Sequence, residues 1–293
     1  MASDPVIDFG SEAPVLVFGG PYSNLKATEA LRTEAHRLGI PPERVVCTGD
    51  VVAYCAEPEE TARAVAEWGC HVIQGNCEQQ LAEGATDCAC NFEEGSACDL
   101  LAKGWYPFAN ARMSPEMRAW MGALPSTLRF RIAGRSGRVV HGGVAQVNRW
   151  VFASEKALLA EESGMAAADI VVAGHCGVPF IERFGGGVWF NPGVIGMPAN
   201  DGTPEVWYGL MRPLAGGGLQ LSTHRLAYDH VSAAAAMRRF GYANGYARAL
   251  VTGLWPSLDV FPPAERAATG KRLRTRSVSV PPRIPGPWAT AAE

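Results

Sequence analysis

Five times along this chain a short apolar run breaks into a glycine-bearing polar loop. Pro14–Phe18 runs into Gly19-Gly20-Pro21-Tyr22, Val45–Thr48 into Gly49-Asp50, and Cys70–Gln74 into Gly75-Asn76. Further on, Arg138-Val139-Val140 leads to His141-Gly142-Gly143, and Ile170–Ala173 leads to Gly174-His175-Cys176. Runs of this length bounded by glycine read as buried strands. Between the first three lie two segments with helical spacing. Leu25, Ala27, Ala30, Leu31, Ala35 and Leu38 recur at helical intervals ahead of Gly39, and Pro58–Trp68 begins with a proline that a first helical turn tolerates. Strand, helix, strand, helix, strand predicts a parallel, doubly wound beginning whose ligand-bearing loops lie beyond the carboxyl ends of the strands.

From about 81 to 124 the pattern turns mostly helical and predicts a cysteine-rich cap over those loops. Strands return at 128–132, 137–140, 170–173, 180–184, 187–190, 207–211 and 218–225. Many of their connections are too short for crossover helices, so antiparallel pairing is expected to dominate there. The two halves together predict an α/β fold, a four-layer α/β/β/α sandwich of two mixed sheets. The chain divides into a principal domain over 1–228, a helical extension over 229–274, and a flexible tail over 275–293 rich in Pro, Ser and Arg.

The chemistry is concentrated at the loop tips. Asp50, Asn76, His141 and His175 offer one carboxylate, one amide oxygen and two imidazoles. Such a mixed oxygen/nitrogen set suits Mn, Fe or Zn, one ion per chain, with coordination positions left for water or substrate. Taken singly, Asp50 reads equally as a helix cap, Asn76 as a turn residue, and either histidine as a satisfied core group. Their common setting after buried strands favours ligation. His36, His71, His224 and His230 have no such setting.

In order and spacing these segments resemble the calcineurin-like metallophosphoesterase superfamily, in particular its small bacterial phosphodiesterase branch. That family carries the blocks Asp-x-His, Gly-Asp, Gly-Asn-His-Asp/Glu, a lone His and Gly-His-x-His, then a strand ending in Asn-Pro-Gly. Here Gly49-Asp50, Gly75-Asn76-Cys77-Glu78, His141, Gly174-His175 and Asn191-Pro192-Gly193 follow one another from about Val15 to Leu210. The resemblance implies the same layered fold and hydrolysis of phosphate monoesters or diesters by metal-activated water. It also implies that Asp50, Asn76, His141 and His175 hold one metal.

The departures fall together. Gly20 stands where the family has its first Asp, Tyr22 where it has its first His, and Gly177 where it has the second His of Gly-His-x-His. Those three ligate the other metal in the family, so one half of the centre is kept and its neighbour is dismantled. Cys77 replaces the His that contacts phosphate or protonates the leaving group, which makes Cys77 and Tyr22 the candidates for that assistance. Asn191 and Asp201, in Asn200-Asp201-Gly202, are candidates for contacting substrate or orienting the ligands.

Composition narrows the partners. With 293 residues, 47% of them hydrophobic, the chain can bury a sizeable core. Lys plus Arg number 26 against 29 Asp plus Glu, a balance that gives no sign of duplex nucleic-acid binding and suits a small phosphorylated substrate. No basic-then-apolar leader and no membrane-spanning apolar run occur, so a cytoplasmic protein is expected. The eight cysteines are accordingly expected as reduced thiols, although Cys77, Cys88, Cys90 and Cys98 cluster. The tail would suit a strap across a partner in a homodimer. Two other readings remain: a catalytically silent binding module acting through cap and tail, or redox or non-phosphate chemistry at a cysteine-containing metal site.

Overall fold

The structure is a computed structural model that describes residues 6–240 and 245–282. Its strands in chain order are β1 (Val6–Asp8), β2 (Val15–Phe18), β3 (Val45–Cys47), β4 (His71–Val72), β5 (Leu128–Ile132), β6 (Arg135–Val140), β7 (Ile170–Ala173), β8 (Phe180–Phe184), β9 (Gly187–Asn191), β10 (Val206–Pro213), β11 (Leu219–Leu226) and β12 (Ser277–Val280). The helices are α1 (Leu25–Arg37), α2 (Pro58–Trp68), α3 (Asn76–Glu83), α4 (Ala97–Asn110), α5 (Pro115–Ala123), α6 (Lys156–Ala166), α7 (His230–Arg239), α8 (Gly245–Thr252) and α9 (Pro263–Ala267).

Two mixed sheets result, ordered β1-β5-β6-β7-β9-β8 and β12-β11-β10-β2-β3-β4. In the second, β2, β3 and β4 run parallel, with α1 and α2 as the expected crossovers. In the first, β6, β7 and β9 run parallel. The edge strand β1 pairs parallel with β5, and the other pairs are antiparallel: β5 with β6, β8 with β9, β10 with β2 and β11, and β11 with β12.

Alternation along each strand builds the layers. Val15, Val17 and Val46 point between the sheets, against Phe130, Val139, Val172 and Phe190 of the other sheet. Their neighbours Leu16, Phe18, Val45 and Cys47 point outward onto Leu31 of α1, Val65 of α2 and Leu81 of α3. On the far side Val171, Ala173 and Trp189 pack with Leu159 and Ala166 of α6. Each Val, Leu or Phe side chain so removed from water contributes about 1.5–3 kcal/mol, and the result is the α/β/β/α sandwich.

Three features depart from expectation. Helix α6, whose buried Leu159, Glu162 and Ala166 show weak apolar periodicity, supplies a crossover between β6 and β7. Within the segment expected to be a flexible tail, Ser277–Val280 forms β12 and pairs antiparallel with β11, while residues 283–293 lie outside the described residues. The alternation Ser-Val-Ser-Val carries that strand, in a stretch whose composition alone reads as polar tail. The helical extension is also continuous with the body: Ala233, Ala234 and Met237 of α7 and Ala249 and Leu250 of α8 belong to the same buried cluster as Leu31 of α1.

Candidate metal centre

The carboxyl ends of the two sheets are spliced together by backbone hydrogen bonds. Gly19 N donates to Gly193 O at 3.1 Å and Ile195 N donates to Gly19 O at 3.0 Å, joining the loop after β2 to the loop after β9. Four further loops open at this seam. Asp50 follows β3 and Asn76 follows β4, while His141 and His175 follow β6 and β7, so each sheet brings two of the four residues.

Their polar atoms converge. His141 Nε2 lies 3.2 Å from Asp50 Oδ2, 3.1 Å from Asn76 Oδ1 and 3.1 Å from His175 Nδ1. His175 Nδ1 lies 3.8 Å from the same Asp50 oxygen. All four residues are buried. Asp50 and His175 hold φ of 55° and 58°, left-handed values that cost non-glycine residues about 1–3 kcal/mol and persist only where the surroundings impose them. Gly49 is required between the loops: with φ of 92°, an added Cβ would meet Gly75 N at 2.6 Å and His141 Nδ1 at 3.0 Å.

Neighbouring groups hold each side chain in place. The Thr48 carbonyl lies 2.6 Å from His141 Nδ1, which fixes the proton there and leaves Nε2 as the nitrogen facing Asp50 and Asn76. Glu78 accepts the N–H groups of Asp50 at 2.7 Å, Val51 at 2.8 Å and Gly75 at 2.9 Å, bracing two of the loops at once. Asn76 Nδ2 donates to Cys88 O at 2.8 Å, which turns its oxygen toward His141. Thr48 and Glu78 escaped the sequence reading as functional residues, although Glu78 fills the last position of the Gly-Asn-His-Asp/Glu block.

Asn191 and Asp201, the candidates for contacting substrate or orienting the ligands, both hold loops through hydrogen bonds. Asn191 Nδ2 donates to Gly174 O at 2.9 Å and to Cys176 Sγ at 3.1 Å, and its Oδ1 accepts Gly193 N at 2.9 Å. Its amide is therefore engaged in shaping the loop that carries His175. Asp201 accepts from Arg225 Nη2 at 2.5 Å, Thr203 Oγ1 at 2.7 Å and Leu273 N at 3.0 Å, an anchor for the loop before β10 rather than a member of the cluster.

The cysteines are a second correction. Cys88 and Cys90 are joined in a disulfide, not reduced, and Cys98 sits on α4. The loop of the disulfide is tied to the loop after His141, Asn148 Nδ2 donating to Ala89 O at 2.9 Å and Trp150 Nε1 to Cys90 O at 3.1 Å. Among the described residues the group of His, Cys and carboxylate atoms close enough to hold one ion is Asp50, His141 and His175, all within 4.8 Å of one another.

Charge follows from this geometry. Burial opposes ionisation of Asp50, but His141 and His175 outweigh it and hold the carboxyl well below the usual range. Burial likewise opposes a charge on His141, yet Asp50 prevails and raises its pKa. His175 goes the other way, its pKa lowered by burial. Burial and the charge of Asp50 push Glu78 up to about 7. Cys77 and Tyr22 are buried and neutral, both raised well above their ordinary values by burial first and by Asp50 second.

A divalent cation fits these residues. With the His141 proton committed to the Thr48 carbonyl, Nε2, Asp50 Oδ2, Asn76 Oδ1 and His175 Nδ1 present lone pairs to one another in a buried space, an arrangement that needs a shared proton or a cation at its centre. His175 Nε2, also buried, has no hydrogen-bond partner of good geometry.

Among the described residues, no helix is long and apolar enough to cross a membrane. No curated protein matches the chain. Among solved structures, a metallophosphoesterase from Sphaerobacter thermophilus is 20% identical, with a TM-score of 0.65 over 82% of this chain and 99% of that one. A hypothetical protein from Pyrococcus horikoshii OT3 is 17% identical, with a TM-score of 0.68 over 82% of this chain and 98% of that one. Both share the fold. The family model of the calcineurin-like phosphoesterase superfamily domain matches residues 23–211, more than half of the chain. On that match, and with the layered fold and the gathered Asp50, His141 and His175 beside it, this chain belongs to the calcineurin-like phosphoesterase superfamily.

Proposed function

We propose that the protein is a phosphoric ester hydrolase that works with a single divalent ion. The observation that supports it is the convergence of Asp50, Asn76, His141 and His175 from two sheets onto one point. An ion of the Mn, Fe or Zn type, when bound, would supply Lewis acidity and positive charge for a phosphoryl group.

The chain's own residues would do the rest. Asp50 provides a permanent negative charge, held ionised by the two imidazoles. Thr48 orients His141, Asn191 shapes the His175 loop, and Glu78 fixes the backbone of Asp50. Tyr22 and Cys77, kept protonated by burial, are the groups available to assist a departing oxygen as hydrogen-bond donors. The substrate is a small phosphorylated molecule, and the site needs no nucleic-acid surface.

A catalytically silent binding role is the second reading, supported by Cys77 standing fully buried where relatives carry a histidine. Metal content and turnover of a chromogenic phosphodiester separate the two. One ion per chain, lost in His141→Ala, with turnover abolished by Asp50→Asn, is the expected result. Metal retained in His141→Ala would overturn the single-ion site, and bound metal without turnover of any phosphoester would leave the silent module.

A further inference from the structure

Among the described residues four carboxylates are buried, those of Asp50, Glu78, Glu162 and Asp201. Asp50 faces the imidazoles, Glu78 braces the loops after β3 and β4, and Asp201 anchors the loop before β10. Glu162 stands apart from these. It lies on α6, the crossover between β6 and β7, and among the described residues no Lys, Arg or His pairs with it. A carboxylate buried in that way is costly unless hydrogen bonds satisfy it.

Its partners lie in the loop after His141. Glu162 Oε2 accepts the N–H of Val144 at 2.5 Å and that of Ala145 at 3.3 Å. A Cβ built on Gly143 would lie 2.9 Å from both carboxylate oxygens, so the second glycine of His141-Gly142-Gly143 is the seat against which Glu162 rests. The loop then turns back, Gly143 N donating to Gln146 O at 3.0 Å, and runs on to the other imidazole. There the backbone of Asn148 meets His175, and the Trp150 ring lies over it at 4.2 Å. One segment thus leaves the first imidazole and covers the second, and Glu162 holds it from outside.

We propose that Glu162 is a positioning residue for both imidazoles of the metal centre, doing for the loops of the first sheet what Glu78 does for those of the second. It touches neither ring. With the loop released, His141 Nε2 and His175 Nδ1 are no longer held toward one point, and the ion loses affinity although every ligand is still present. The proposal rests on the single-ion reading above.

Manganese titrations followed by calorimetry test this, alongside the imidazole nitrogen spectrum of the metal-free protein. Glu162→Ala is expected to bind the ion about 10–100-fold more weakly and to move the ring signals of His141 and His175. Both hydrogen bonds end on one oxygen, so Glu162→Gln, which keeps an acceptor there, should restore most of the affinity. Asp201→Asn controls for stability: it loosens a loop away from the centre and should leave affinity and ring signals as they were. Gly143→Ala serves if Glu162→Ala does not fold, because its methyl would displace the carboxylate, and the same loss is expected. Unchanged affinity with unmoved ring signals in the folded variant, or an equal loss in Asp201→Asn, would overturn the positioning role while leaving the single-ion reading intact. Failure of the unaltered protein to bind the ion would overturn that reading, and this proposal with it.

Discussion

The Glu78 carboxylate accepts the backbone N–H of Asp50 at 2.7 Å, so the helix that begins at Asn76 fixes the backbone of a different ligand-bearing loop. Replacing Glu78 by Ala strands the buried N–H groups of Asp50, Val51 and Gly75, each costing about 1–3 kcal/mol when left unpaired. Supporting groups of this kind alter metal affinity by about 10–100-fold. Glu78→Ala should therefore lower both stability in a denaturant titration and affinity in a metal titration, with Glu78→Gln closer to the original. An unchanged metal affinity in a folded Glu78→Ala protein would show that the bracing is dispensable.

Metal binding should weaken in acid through His141. Asp50 raises the His141 pKa, so protonation competes with the ion from above the ordinary value of about 6.5 and strengthens as pH falls. Zinc titrations across this range should show affinity rising with pH and protons released on binding from the more acidic buffers. A pH-independent affinity would remove His141 from the ligand set.

Glu59 links the end of the cap to α2. Burial opposes its charge, but the Ser114 N–H and hydroxyl and then Arg63 outweigh it and hold its pKa low. A lowered carboxyl contributes stability that is present above the unfolded-state pKa of about 4.3 and disappears as pH falls through the folded value. Thermal unfolding should thus show Glu59→Gln less stable by about 1 kcal/mol near neutrality, the gap closing in acid. A gap that widens in acid would contradict the linkage.

Asp201 gives the opposite separation. Its partner Arg225 also stacks over Trp207 at 4.4 Å and bonds Thr203 at 2.7 Å and Leu273 O at 2.7 Å. Asp201→Asn should cost about 1–3 kcal/mol while metal content and turnover per folded molecule stay as before. Loss of turnover in a fully folded, metal-loaded Asp201→Asn protein would return Asp201 to the substrate site.

Much of this molecule was legible from local pattern. The β2-α1-β3-α2-β4 beginning follows from apolar runs and helical spacing that local sequence alone imposes, and Asp50, Asn76, His141 and His175 stand out because each follows a buried strand. What escaped depends on partners distant in sequence. Thr48 matters through a carbonyl that His141 reaches across 93 positions, and no side-chain type announces that. Asn191 was a candidate for contacting substrate or orienting the ligands, and its bonds to Gly174 and Cys176 arise only once β7 and β9 pair. The Cys88–Cys90 bond was missed because thiol spacing says nothing about how a loop folds back on itself.

Strand β12 has a consequence for where this protein can be shortened. It covers Leu219–Ser222 of β11, a strand of eight residues whose free side would otherwise present a row of unpaired backbone groups. Exposed strands of that kind recruit other chains edge to edge. Cutting the protein back to residue 274, where composition places the end of the ordered part, would leave the loops of the metal centre untouched and open the β11 edge to pairing with other chains. Ser277–Val280 thus act as a guard against aggregation.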